Sequence, residues 1–264
     1  MPKIVISTHA PFVSREIRGW KLSLLANIYD WLIGKWELKQ YDKVIAQTQW
    51  EIPSLLKLDC PRERIVISPN GVPDEFFDMP IKKGARDRLS FIGRVAPIKD
   101  LETPILAMAA LHDKDGIDVG FEITGPKEEG YYQKLWAMVA DHPLEGMLMF
   151  NETKTGQDKL DWMNEQSIFV LPSKREAMPQ SLIEAMALGK IVVASKTDGA
   201  KEIIVDGVNG LLFDIGDYDE LSLRLAYCFN NFDALNRMRF NARKSVEHLK
   251  WSNIGKEVEK IYGI

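Results

Sequence analysis

The sequence predicts an α/β protein built on parallel sheets, in two parts of unequal size. Three observations carry this reading. Short apolar runs of strand type recur along the chain, each is followed by a helical pattern, and one irregular segment interrupts the rhythm. In order, "KIVIST" (3–8) is a first strand, and a helical stretch covers roughly 14–40. "DKVIAQT" (42–48) is a second strand, "WEIPSLL" opens a helix, and "RIVIS" (64–68) is a third strand. "PNGVPDEFFDMPIKKGARDR" (69–88) sets prolines around Asn70-Gly71 and then mixed charge without period, which marks a turn and a linker. The second series has strands at 89–93, 118–124, 147–150, 167–173, 190–195 and 210–213. Helices are expected at about 101–112, 129–140, 157–164, 179–188, 217–229 and 233–247, a complete doubly wound unit. "WSNIGKEVEKIYGI" closes the chain as an amphipathic helix with Ser252 as its N-cap. The expected segments are therefore 1–80, 81–248 and 249–264.

The chain has 264 residues and a formal net charge of −4, enough for one or two domains with ample core. Mixed, slightly acidic charge gives no nucleic-acid footprint. Cys60 and Cys228 are the only cysteines and lack metal-ligand spacing, so a reducing cytoplasm is the expected location. No signal pattern and no apolar run of about 18 residues predicts a membrane span. "LSLLANIYDWLI" (22–33), with Trp20, Trp31 and Trp36 among Arg15, Arg18, Lys21 and Lys35, reads as a helix packed on a sheet. The same mixture also fits contact with a membrane surface, which leaves the inner face of a membrane open as a location.

Ligands of an open α/β sheet bind at the carboxyl ends of the strands. Three loops there carry suggestive residues. In "GRVAPIKD", Gly93 permits a tight turn, and Arg94 with Lys99 sets two cations beside a helix start, which suits a diphosphate. In "PSKREAMPQ", Met178, Gln180 and Ser181 bring backbone N–H groups to the start of the 179–188 helix, where the macrodipole favours an anion. Pro179 is expected at the first helical position and Gly189 just past the end. That helix is apolar almost all round, yet at about 100° per residue Gln180, Ser181 and Glu184 fall on one side of it. No intrahelical partner explains Glu184. Either the hydroxyls of a ligand such as a ribose, or else a backbone N–H or a distant cation, must satisfy it. In "STHAP", His9 stands just past the first strand, as a structural residue or a ligand contact.

Together, "SPNGVPDEFF", "FIGRVAPIKDLETPILAMAAL", "FVLPSKREAMPQSLIEAMALGKIVVAS" and "DGAKEIIVDGVNGLLFD" resemble glycosyltransferase family 4, retaining enzymes of the GT-B fold that use nucleotide-sugar donors. The resemblance runs from about residue 43 to the end and more loosely over 3–40. It implies a GT-B-like molecule, one complete doubly wound Rossmann-type domain plus a truncated second Rossmann-type domain. Segment 1–80 would be a partial acceptor-side domain, 81–248 the nucleotide-sugar domain, and 249–264 a helix returning to the first. Arg94 and Lys99 would hold the donor diphosphate. Glu176 would contact the donor sugar near the reacting carbon, Glu184 the ribose hydroxyls, and His9 the transferred sugar. No metal and no cofactor beyond a UDP- or GDP-sugar donor is implied, and the acceptor would be a glycan or lipid-linked.

Only about 70–80 residues precede the linker, whereas the first domain of that family is a full Rossmann unit. The donor site is therefore expected complete and the acceptor surface reduced. The exposed edge of strand 3–8 is expected to be covered by a second copy, a partner chain or a membrane. Two other readings compete: an epimerase or phosphorylase relative, and a non-catalytic or partner-dependent nucleotide-sugar-binding subunit of a split glycosyltransferase.

Overall fold

The computed structural model describes residues 4–8, 24–25, 29, 34–142 and 144–263. The chain divides into two compact units, Met1–Gly71 with Leu249–Ile264, and Val72–His248. The division lies inside the irregular stretch 69–88, at Gly71–Val72.

In the smaller unit, β1 (Val5–Thr8), β2 (Lys43–Ala46) and β3 (Ile65–Ile67) form a parallel sheet in the order β1-β2-β3. β1 is an edge strand among the described residues. A short helix, α1 (Lys35–Glu37), precedes β2, and α2 (Ile52–Lys57) links β2 to β3. Leu38, Val44, Ala46, Ile52, Leu55, Cys60 and Ile65 make its core. Of the expected 14–40 helix, Leu24, Leu25, Tyr29 and Trp36 are exposed, while Trp20 and Trp31 lie outside the described residues.

The larger unit begins with α3 (Glu75–Asp78), a turn of helix inside the stretch expected to be a linker. There follow β4 (Arg88–Ile92), α4 (Glu102–Asp115), β5 (Gly120–Thr124), α5 (Glu129–Ala140), β6 (Leu148–Asn151) and α6 (Gly156–Glu165). The chain continues through β7 (Ile168–Leu171), α7 (Gln180–Ala187), β8 (Ile191–Ser195), α8 (Asp198–Ile203), β9 (Leu211–Phe213), α9 (Tyr218–Asn230) and α10 (Asn236–Val246). The six strands are all parallel, in the order β6-β5-β4-β7-β8-β9. β7 and β8 are buried at every position, as unbroken apolar strands must be when helices cover both faces of a sheet. The described residues include no helix long and apolar enough to cross a membrane, and Cys60 and Cys228 are both free and buried.

Two terminus expectations are corrected. Pro179 is the N-cap of α7 rather than its first residue, because its ψ of 106° is extended. The last helix, α11 (Trp251–Tyr262), is capped at Lys250 rather than Ser252; the Lys250 carbonyl already accepts from the Asn253 and Ile254 N–H groups. The helix α8 was not foreseen; Thr197 caps it by accepting from the Ala200 N–H. Gly189 does end α7, in the left-handed conformation at φ 66°.

One buried lysine holds the base of this unit together. Lys190 is 1% exposed, and its Nζ donates to two carbonyls, Lys82 O at 3.0 Å and Asn164 O at 2.6 Å. Burial, with Arg239, Arg243 and Lys82 nearby, outweighs the attraction of Glu165 and lowers its pKa from 10.5 to about 7. A neutral amine has two N–H donors, matching the two carbonyls. The unfolded chain binds a proton here that the folded chain lacks, so stability rises as pH increases above 7. The slope approaches ~1.4 kcal/mol per pH unit. Near pH 9 the buried Cys228 thiol, pushed up from 9.0 to about 12, begins to act in the opposite sense. Urea unfolding between pH 7 and 8.5 should show that rise, and Lys190→Met should flatten it.

Candidate functional site

Strand order creates the site. From β4 the chain builds β5 and β6 on one side, then returns to lay β7 against the other edge of β4. The loops leaving β4 and β7 diverge there and open a crevice at the carboxyl ends. A cavity of about 300 Å³ occupies it, within the larger unit. The loop after β4 contributes Gly93, Arg94 and Lys99, and the segment after β7 contributes Glu176, Pro179, Gln180 and Ser181. Gly125 and Pro126 after β5, Thr153 and Lys154 after β6, and Lys159 on α6 also line it; the sequence reading had singled out none of these five. Met178 is buried beside the lining, and Glu184 is buried at 4% exposure, one turn into α7. His9 lies outside the described residues.

Two lysine–glutamate pairs dominate the chemistry. A one-turn 3₁₀ helix, Pro97–Lys99, carries Lys99 to Glu176, with Nζ to Oε1 at 2.6 Å. Ser173 Oγ donates to the same oxygen at 2.6 Å. The backbone of Glu176 is fixed from the other side, because Gly199 N–H donates to its carbonyl at 3.1 Å. A Cβ on Gly199 would stand 2.1 Å from the Ala177 carbonyl oxygen, so only glycine allows α8 to abut this loop.

The second pair gives Glu184 its partner. The sequence offered it no partner on its own helix, yet Lys159 from α6 reaches both carboxylate oxygens. The distances are 2.7 Å to Oε1 and 2.6 Å to Oε2, and Gln180 Nε2 donates to Oε1 at 3.3 Å. The satisfying group is thus the distant cation. Lys159 sits on a polar helix 25 positions away and reads in sequence as a solvated lysine.

Arg94 is mostly exposed and stands 3.7 Å from Glu128. Its loop is laced to the one after β5 by Val95 N–H donating to Pro126 O and Glu128 N–H to Val95 O, at 2.8 and 2.9 Å. Arg94, Lys99, Lys154 and Lys159 face the cavity against one lining carboxylate, Glu176. Four cations beside the N-terminus of α7 favour a multiply charged anion.

Residues 74–245 match the family described as glycosyl transferases group 1. An uncharacterised glycosyltransferase of Methanocaldococcus jannaschii is 26% identical over 228 residues, which cover 86% of this chain and 61% of the relative. The amylovoran biosynthesis glycosyltransferase AmsK of Erwinia amylovora is 28% identical over 199 residues, 70% of this chain and 48% of the relative. The chain thus spans between about half and three-fifths of the length of these curated relatives. Among solved structures, Anabaena HepE in complex with UDP and glucose superposes with a TM-score of 0.81 at 19% identity, over 99% of this chain and 71% of that one. Sucrose-phosphate synthase from Thermosynechococcus elongatus gives 0.79 at 18%, over 98% and 67%. The likeness to both structures is one of fold.

Removing Lys159 leaves the Glu184 carboxylate buried without its cation. Lys159→Met should cost ~2–3 kcal/mol in denaturant unfolding. Adding Glu184→Gln should recover most of that loss, and a double variant as unstable as the single would show that the pair is not the cause.

Proposed function

This chain belongs to the glycosyl transferases group 1 family, and on that premise we propose that it transfers a sugar from a nucleotide-diphosphate donor to an acceptor. In this reading the anomeric configuration is retained, as in glycosyltransferase family 4, and no metal is required. The observation that carries the reading is the cation-lined crevice at the β4–β7 junction, where Lys99 meets Glu176. Breaking the bond between the sugar and the diphosphate builds negative charge on the departing oxygen. Lys99, Arg94 and the N-terminus of α7 would stabilise that charge without metal. Diphosphate entry would draw Lys99 from Glu176 and free this carboxylate to accept from a sugar hydroxyl. Glu184, steadied by Lys159, would accept from the ribose hydroxyls. His9 would complete the sugar contact.

The HepE complexes with UDP and UDP-glucose support a uridine nucleotide as the first donor to try. Exposed Leu24, Leu25 and Trp36 support a lipid-linked acceptor at the cytoplasmic face of a membrane, or a partner chain on the smaller unit.

Calorimetric titration with UDP, GDP and ADP should identify one ligand whose binding survives chelation. Restoration of chelator-abolished binding by Mg²⁺ would overturn the metal-free account. Lys99→Ala should weaken that diphosphate by ~1.5–3 kcal/mol and leave the nucleoside unaffected. Glu176→Ala should lower turnover of the matching nucleotide sugar more than nucleotide affinity, since its contact is strongest in the transition state. Normal turnover would remove it from the mechanism, and NMR of the product anomer tests retention directly.

A further inference from the structure

The two loops that meet at the β4–β7 junction each set a cation and a carboxylate close together in sequence. The loop after β4 carries Lys99 and Asp100, and the loop after β7 carries Lys174 and Glu176. Lys99 reaches Glu176, and Lys174 reaches back to Asp100, with Nζ to Oδ1 at 3.4 Å. The two links run side by side with opposite polarity. A backbone bond accompanies them, from Lys174 N–H to the Ile98 carbonyl at 2.9 Å. The proposed function uses Lys99 and Glu176 and gives no part to Asp100 and Lys174.

Asp100 occupies a place where its backbone would favour another residue. Its φ of 50° and ψ of 48° are left-handed, a conformation glycine enters freely and aspartate at some cost. Its side chain is 7% exposed, yet both oxygens are engaged: Oδ2 accepts from Thr103 Oγ1 at 2.8 Å, and Oδ1 faces Lys174. A carboxylate held in this buried, conformationally costly place has to be useful there, and what it does is tie the first loop to the second. Lys174 is 45% exposed, so the pair adds little to global stability. Its effect is on the spacing of the loops.

We propose that Asp100 and Lys174 are positioning residues for the donor diphosphate. They form a brace that keeps the two loops at a fixed separation while Lys99 exchanges Glu176 for phosphate. When Lys99 turns to the phosphate its link to Glu176 is given up, while the Asp100–Lys174 link still ties the two loops. This inference rests on the donor site proposed above.

The test compares the full chain with Asp100→Asn, Lys174→Gln and the double variant. Asparagine tolerates the left-handed backbone and can still accept from Thr103, but it lacks the charge that holds Lys174. Lys174 has an exposed ammonium, so its variant folds irrespective of what happens at Asp100. UDP, GDP and ADP are titrated, each beside its monophosphate. Each single variant should weaken the preferred diphosphate about tenfold and the monophosphate less than about twofold, with the melting temperature unchanged. The double variant should be no weaker than either single, as coupled residues require. Unchanged diphosphate affinity, equal loss of diphosphate and monophosphate, or additive losses would overturn the brace. If the wild-type chain binds none of the three diphosphates, the donor-site reading itself fails, a pattern distinct from these.

Discussion

The larger unit depends on one topological constraint, the reversal of strand order that puts β7 beside β4. Leu89 pairs with Ile168 and Ser90 with Phe169, and the Ser90 hydroxyl closes the junction onto the Ile168 carbonyl at 3.0 Å. With β5 and β6 on one side and β8 and β9 on the other, the loops leaving the two central strands cannot follow one another. They separate, and the gap between them is the only place in such a sheet where backbone ends diverge from adjacent strands. Lys99 and Glu176 meet because their strands do.

The crevice neutralises part of its own charge. Glu176 is held by Lys99 and Ser173, and Glu184 by Lys159 and Gln180. Leaving either carboxylate unpaired in this half-enclosed space would carry a large desolvation cost. At Lys99 and Lys159 a ligand anion therefore does not meet bare cations. It competes with carboxylates already in place, which favours ligands carrying more charge than one carboxylate can match. A hydroxyl-bearing ligand, in turn, finds acceptors that fixed lysines have already oriented.

Much of the fold was legible in the sequence, because burial on both faces forces parallel strands to be short unbroken apolar runs. All nine strands of the described residues fall where such runs occur. The start and stop of α7 were legible through Pro179 and Gly189, residues whose backbone preferences are local. Arg94, Lys99, Glu176, Gln180 and Ser181 could be placed at one cavity because each lies in a loop leaving a strand end or at the helix start that follows it. What could not be read is whatever depends on distance in space. Lys159 gives no sign in sequence that it reaches Glu184. Asp100 shows nothing of its left-handed backbone, and Gly199 nothing of the carbonyl it must clear. The short helices α3 and α8 escaped because a turn or two carries too little apolar period to stand out.

The β4–β7 junction joins residues 78 positions apart, with two complete strand–helix units strung between them. Closing so long a loop is entropically costly, and parallel pairings of this kind form late and slowly. The crevice comes into being only when that closure is made. A ligand that recognises it has nothing to hold while the chain is still assembling, so its stabilisation is expressed almost wholly as slower opening of the finished unit. A ligand held in the crevice would lengthen the lifetime of the folded chain and leave the speed with which it is reached unchanged.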